Sequence, residues 1–173
     1  MYYEQTYKAR EELLELLKGI SEEQLHQKHE NLWTVSQNVE HLYLIENKIT
    51  NGLRKAIEVK NEVEEKDLPL AKMLANRTYK VEAPEDIVPS EHPYTKAELV
   101  ELLEQSRNNL NTFIQEVDDE ALHKYGFNHR WIGDLSAQQW VQLIGFHERR
   151  HIEQINQTLN NTLKVQLLTE KKS

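Results

Sequence analysis

Three stretches of this chain join the same start signal to the same long apolar rhythm, and they leave little choice of fold. Thr34-Val35-Ser36-Gln37, Thr95-Lys96-Ala97-Glu98 and Ser136-Ala137-Gln138-Gln139 all match S/T-x-x-E/Q. In such a box the hydroxyl accepts the third residue's amide, and the Glu or Gln side chain reaches back to the amide of the cap. Behind the first box, Val35, Val39, Leu42, Ile45, Ile49, Leu53 and Ile57 recur every three or four positions. Leu99, Leu102, Leu103, Leu110, Phe113 and Ile114 follow the second, and Trp140, Val141, Ile144, Ile152, Ile155 and Leu159 the third. That spacing lines one face of a helix, whereas a strand would need strict alternation. Helices are therefore predicted over 35–59, 96–117 and 137–160. Another over 3–19 carries Tyr3, Tyr7, Leu14 and Leu17, and a fourth box at Ser21–Gln24 opens a short turn after it. Four helices with one apolar stripe each bury those stripes on one another, so the expected fold is an all-α four-helix bundle.

The composition agrees: five glycines are too few for a chain built of strands and tight turns. At 173 residues, one domain spanning 1–173 is expected, with a core that needs no metal or crosslink to hold it. The connection over about 60–94 holds all four prolines (Pro69, Pro84, Pro89 and Pro93) and is long enough to run the length of the bundle. It allows the second and third helices to lie parallel, and "LPLAKMLANRTYK" within it suggests a short extra helix. The end, about 164–173, reads as a polar tail. No apolar run approaches the roughly 18 residues that span a membrane, and acids interrupt the N-terminal stretch where a signal peptide would be apolar. A cytoplasmic protein with no membrane partner is the expectation. The absence of cysteine fits that compartment and excludes both a cysteine nucleophile and thiolate metal ligands. A formal charge of −8 without a basic stripe argues against nucleic acid as a partner and leaves small molecules.

The chemistry concentrates in "GFHERRHIEQI". His147-Glu148-Arg149-Arg150-His151 satisfies H-E-x-x-H, in which two histidines hold zinc and the glutamate activates water. A protease of that kind needs a third ligand downstream, and only Glu153, on the same helix, and Glu170, in the tail, are offered. The longer form with a further glycine and histidine is missing as well. Glu148 points about 100° away from His147 around the helix, which leaves it without a task. His147 and His151, only about 40° apart and bordering the apolar face, can still share one ion. His41 sits at the edge of the second helix's stripe, next to Ile45. If those two helices face each other it completes a three-histidine set; otherwise it is a partly buried histidine at the border of the core. His26, His29, His92 and His123 fall in polar connections. Glu46, one turn beyond His41, is the available guess for a general base.

Taken in order, "WTVSQNVEHLYLIE", "NRTYKVEAPEDIVPS", "GDLSAQQW" and "FHERRHIEQI" resemble the DinB/YfiT-like superfamily over nearly the whole chain. The resemblance implies a four-helix bundle of up-down-down-up topology with a long crossover between helices 2 and 3. It also implies a metal site at His41, His147 and His151, commonly with nickel or zinc, and frequent homodimers. Many relatives have proline where this chain has Arg130 and Asp134, so the loop around His129 and Trp131 departs from the family pattern. Members with assigned activities include transferases and isomerases that use low-molecular-weight thiols such as bacillithiol. The leading expectation is thus a metal-dependent, thiol-dependent S-transferase acting on small electrophiles, its nucleophile arriving with the cofactor. Arg149, Arg150 and Glu148 are candidates for contact with an anionic cofactor. A hydrolase using water on the same metal, and a non-enzymatic metal-binding stress protein, are the alternatives.

Overall fold

The computed structural model describes residues 3–75 and 84–172. Four long helices make the bundle: α1 (Glu4–Lys18), α3 (Val35–Glu58), α5 (Lys96–Glu116) and α7 (Ala137–Glu170). Shorter helices α2 (Glu22–His26), α4 (Leu70–Ala75) and α6 (Asp119–Lys124) fill the connections. All four S/T-x-x-E/Q boxes form reciprocal caps, at Ser21, Thr34, Thr95 and Ser136.

Cross-bundle contacts give the topology. Along α1 and α7 the partners advance together: Thr6 donates to the Val141 carbonyl at 2.8 Å, and Arg10 meets Glu148. They also advance together along α3 and α5, from Glu46 with Arg107 to Arg54 with Glu116. Along α3 and α7 they run in opposite senses, from Asn38 with His151 to His41 with His147. Two parallel pairs packed antiparallel make the up-down-down-up bundle. Its core has two apolar clusters: one around Leu53, Leu110, Phe113, Leu135 and Val141, the other around Leu13, Leu17, Val39, Leu99, Leu103 and Ile155. The close approach of α1 to α7 requires Gly145, where a Cβ would stand 2.5 Å from the Thr6 Cα.

Because α3 and α5 are parallel, the chain between them must travel back along the bundle. It starts beside Tyr125, where Val63 donates to the Lys124 carbonyl, and continues through α4, which packs on α7. It then follows the first half of α3, where a 3-10 turn (Glu85–Ile87) docks and Ser90 binds both carboxylate oxygens of Glu40. The short helix expected in "LPLAKMLANRTYK" is α4 as far as Ala75; the rest of that stretch, and "NRTYKVEA" of the family motif, lie outside the described residues.

Two features depart from the sequence expectation. The last helix does not stop near Asn160 but continues to Glu170, with Leu163, Val165, Leu167 and Leu168 exposed on it. Ahead of that helix stands a hairpin, β1 (Gly126–His129) paired antiparallel with β2 (Gly133–Ser136). Gly133, at φ +98°, supplies the left-handed backbone that its turn needs. Among the described residues no helix is long and apolar enough to cross a membrane.

Candidate metal centre

The site lies where the first turns of α3 face the middle of α7. Thr34 caps α3 so that Asn38 and His41, three apart, share the side turned to α7. On α7, His147 and His151 are one turn apart. His41 and His151 are buried, at 4% and 6% exposure, and His147 is partly buried. The Nε2 of His147 lies 3.4 Å from the Nε2 of His41 and 3.2 Å from that of His151. One ligand atom from each ring falls within 4.8 Å of the others, a group of three able to hold a metal ion.

The outer nitrogens decide how the rings are protonated. His41 Nδ1 is 2.8 Å from the Ile87 carbonyl, which can only accept, so the ring carries its proton on Nδ1. His151 Nδ1 is 2.9 Å from Asn38 Oδ1. The Asn38 amide is oriented by its own Nδ2, which donates to the Thr34 carbonyl at 3.0 Å. His151 is therefore protonated on Nδ1 as well. Both rings aim an Nε2 lone pair at the same point. A single proton on His147 Nε2 can satisfy only one of them, so the donor set fits a cation better than a hydrogen-bonded cluster.

Charge is disfavoured on two of these rings. Burial holds the His41 pKa below its usual value, against the hydrogen bond to Ile87. His147 is pushed down to about 3, first by burial and then by the repulsion that its protonated form meets from the charged forms of His41, Arg150 and His129. With their pKa values held below the ordinary imidazole value, His41 and His147 are in the ligating form at physiological pH without losing a proton. Trp33, just ahead of α3, walls one side. Its ring is stacked at 14° to that of His151, with centroids 6.2 Å apart, and its centroid is 5.0 Å from that of His41.

Glu148, the apparent catalytic residue of H-E-x-x-H, faces the opposite way, into the bundle. Arg10 reaches it through Nη2 at 2.8 Å and Nε at 3.1 Å, and reaches Glu46 through Nη2 at 2.6 Å. Arg107 Nε donates to Glu46 at 2.6 Å, and Ser106 adds a hydroxyl at 3.1 Å. The four long helices thus contribute one charged residue each to a buried cluster of two arginines and two glutamates. Burial opposes charge on Arg10, but Glu148 and Glu46 together outweigh it and raise its pKa. Burial pushes the Glu148 carboxyl up, and Arg10 and Arg107 pull it back in part. With side chains only 1% exposed, neither glutamate can serve as a base towards solvent or substrate, so the guess at Glu46 does not hold.

Four further histidines are occupied elsewhere. His26 bonds to the Tyr94 carbonyl, His29 to Thr162 and His123 to Glu65, while His92 packs on Tyr94. Arg149 pairs with Glu12 on the α1 side rather than at the centre. Sequence reasoning missed Trp33, Asn38 and the Ile87 carbonyl. Asn38 carried a usable signal, being three residues before His41 on one helical face. A backbone carbonyl delivered from a distant turn has no residue signature at all.

The model of the DinB superfamily matches residues 5–155. Among curated proteins, the chain is 28% identical over 152 residues to the uncharacterized protein YuaE of Bacillus subtilis (strain 168), covering 86% of this chain and 91% of that one. Among solved structures it is similar to TT2238, a four-helix bundle protein, with a TM-score of 0.59 and 19% identity over 90% of this chain and 95% of that one. The latter likeness concerns the fold alone.

Proposed function

This chain belongs to the DinB superfamily, and from that premise we propose that it is a metal-dependent S-transferase. In this reading His41, His147 and His151 hold a divalent ion, nickel or zinc, and the enzyme joins a low-molecular-weight thiol such as bacillithiol to a small electrophile. The observation that carries the reading is the convergence of three imidazoles, two of which have their outer nitrogens already committed, at Ile87 and Asn38.

A divalent ion there would offset a thiolate's charge and keep a thiol with a pKa near 8.5 ionised at neutral pH. The protein's own part is to fix the ring tautomers and to wall the centre with Trp33. With no cysteine in the chain, the sulfur must come from the co-substrate. In the reaction a sulfur–carbon bond forms, the bond from that carbon to its leaving group breaks, and the leaving group departs with the electron pair. A hydrolase would instead want a general base beside the centre, and both nearby glutamates are locked in ion pairs. A homodimer and a cytoplasmic site of action belong to the same proposal.

The test is conjugation of 1-chloro-2,4-dinitrobenzene by metal-loaded protein with and without bacillithiol. Conjugation that needs both metal and thiol is the expected result. Substrate loss at the same rate without any thiol would favour the hydrolase. No metal-dependent turnover with or without thiol would leave a metal-binding protein.

A further inference from the structure

The carbonyl that fixes His41 belongs to the crossover, and a carbonyl can act only where its chain is held. Residues 86–90 lie on α3 as a strap that runs against it. As the strap advances from Asp86 to Ser90, its partners on α3 step back from Lys48 through His41 and Glu40 to Gln37. The Ile87 carbonyl meets His41 Nδ1 at 2.8 Å, and the Ile87 side chain is buried. Three residues on, Glu40 grips Ser90: Oε2 accepts the backbone N–H and Oε1 the hydroxyl, both at 2.9 Å. Gln37 adds an amide N–H to the Ser90 carbonyl at 3.3 Å. On the other side of Ile87, Lys48 pairs with Asp86 at 2.9 Å, but that pair is exposed and contributes little. Glu40 is buried, and hydrogen bonds to a carboxylate are about twice as strong as neutral ones. It is therefore the main polar anchor of the strap, and it stands next to His41 in the chain.

We propose that Glu40 is a positioning residue of the metal centre, acting through the strap: it holds Ser90 so that the Ile87 carbonyl stays on His41 Nδ1. This rests on the metal-centre reading above. A neutral imidazole has one proton to place, and only when that proton is on Nδ1 does Nε2 offer a lone pair to an ion. With the strap held, the ring meets the ion with tautomer and orientation already set. With the strap released, the carbonyl no longer selects Nδ1, and the ring must be reoriented as the ion binds. Coupling of this kind is reciprocal: whatever factor the docked strap adds to metal affinity, bound metal adds to strap docking. The crossover is then part of the centre as well as the connection between α3 and α5.

Three readouts test this, with helicity and Tm recorded for every protein. Zinc(II) affinity by chelator competition should fall about tenfold or more in Glu40→Ala, the usual loss for a partner standing behind a metal ligand. Glu40→Gln, which keeps one acceptor oxygen, should recover part of it. In metal-free protein, long-range proton–nitrogen correlation should place the His41 hydrogen on Nδ1 in wild type and show it shared with Nε2 in Glu40→Ala. In wild type, hydrogen exchange of the Ser90 amide should slow about tenfold or more when zinc is bound. That measurement needs no variant, so it decides the matter if Glu40→Ala does not fold. A lower Tm with unchanged zinc affinity and an unchanged His41 ring would make Glu40 a structural clamp alone and overturn the proposal. So would a Ser90 amide whose exchange does not respond to zinc. A wild-type chain that binds no zinc would overturn the metal-centre reading, and this proposal with it.

Discussion

Replacing Glu148 by Gln separates two accounts of the H-E-x-x-H string. If Glu148 were the base of a hydrolytic site, the variant would fold normally and lose its chemistry. The structure predicts the reverse emphasis. Glu148 accepts Arg10 Nη2 at 2.8 Å and Arg10 Nε at 3.1 and 3.3 Å, with its side chain 1% exposed. A glutamine can accept on one oxygen only, and it turns an N–H2 towards a guanidinium that also donates. It leaves the two buried arginines facing the single carboxylate of Glu46. Breaking a buried pair from one side costs about 3–5 kcal/mol, which for a chain of this length lowers Tm by roughly 6–20 °C. Urea denaturation and calorimetry of Glu148→Gln against wild type measure this. Adding Arg10→Met to the variant should recover part of the loss, since Arg107 and Glu46 still neutralise each other. A Glu148→Gln protein within about 0.5 kcal/mol of wild type, the range of an ordinary surface substitution, would refute the reasoning.

Other consequences follow from the same geometry. Asn38→Ala removes the acceptor that fixes the His151 ring, so metal affinity should fall about 10–100-fold by chelator competition, while Asn38→Asp keeps the acceptor and most of the affinity. An unaltered Asn38→Ala affinity would contradict the assigned tautomer. In metal-free protein the His147 ring should show no titration in its NMR shift between pH 8 and 5, because its pKa is pushed down to about 3. The unfolded chain takes up that proton near pH 6.5 and the folded chain does not. Stability is therefore fully present above about pH 6.5 and is lost as pH falls towards 3; a His147 midpoint near 6.5 would contradict this. Gly145→Ala places a methyl 2.5 Å from the Thr6 Cα and should cost about 1–3 kcal/mol in urea denaturation as α1 is pushed from α7. No loss would mean that the two helices are not held that closely.

The bundle was legible because helical stripes and capping boxes are local signals that do not depend on the rest of the chain. The hairpin was not: "GFNH" and "GDLS" are four residues each, too short to show alternation, and their pairing depends on a glycine turn. The end of α7 was misplaced because Leu163, Leu167 and Leu168 lie beyond the part of the stripe that the core uses. At the centre, His147 and His151 advertised themselves by spacing, whereas His41 needed the facing of two helices that no local pattern gives. The buried ion cluster had left a mark that went unread. Arg10 falls between Tyr7 and Leu14, Arg107 between Leu103 and Leu110, and Glu148 between Ile144 and Ile152, each at an apolar position of its helix. Charged residues standing in the stripes of several helices are a sign of a polar layer crossing the core. Reading Glu148 as part of a catalytic string hid its place in that layer.

Metal content bears most directly on the central claim, that three histidines from two helices form one metal centre. Protein purified without a histidine tag should hold about one divalent ion per chain by elemental analysis, and that ion should be lost from His41→Ala, His147→Ala and His151→Ala alike, with helicity retained. Metal content unchanged in the His147→Ala protein would contradict the account.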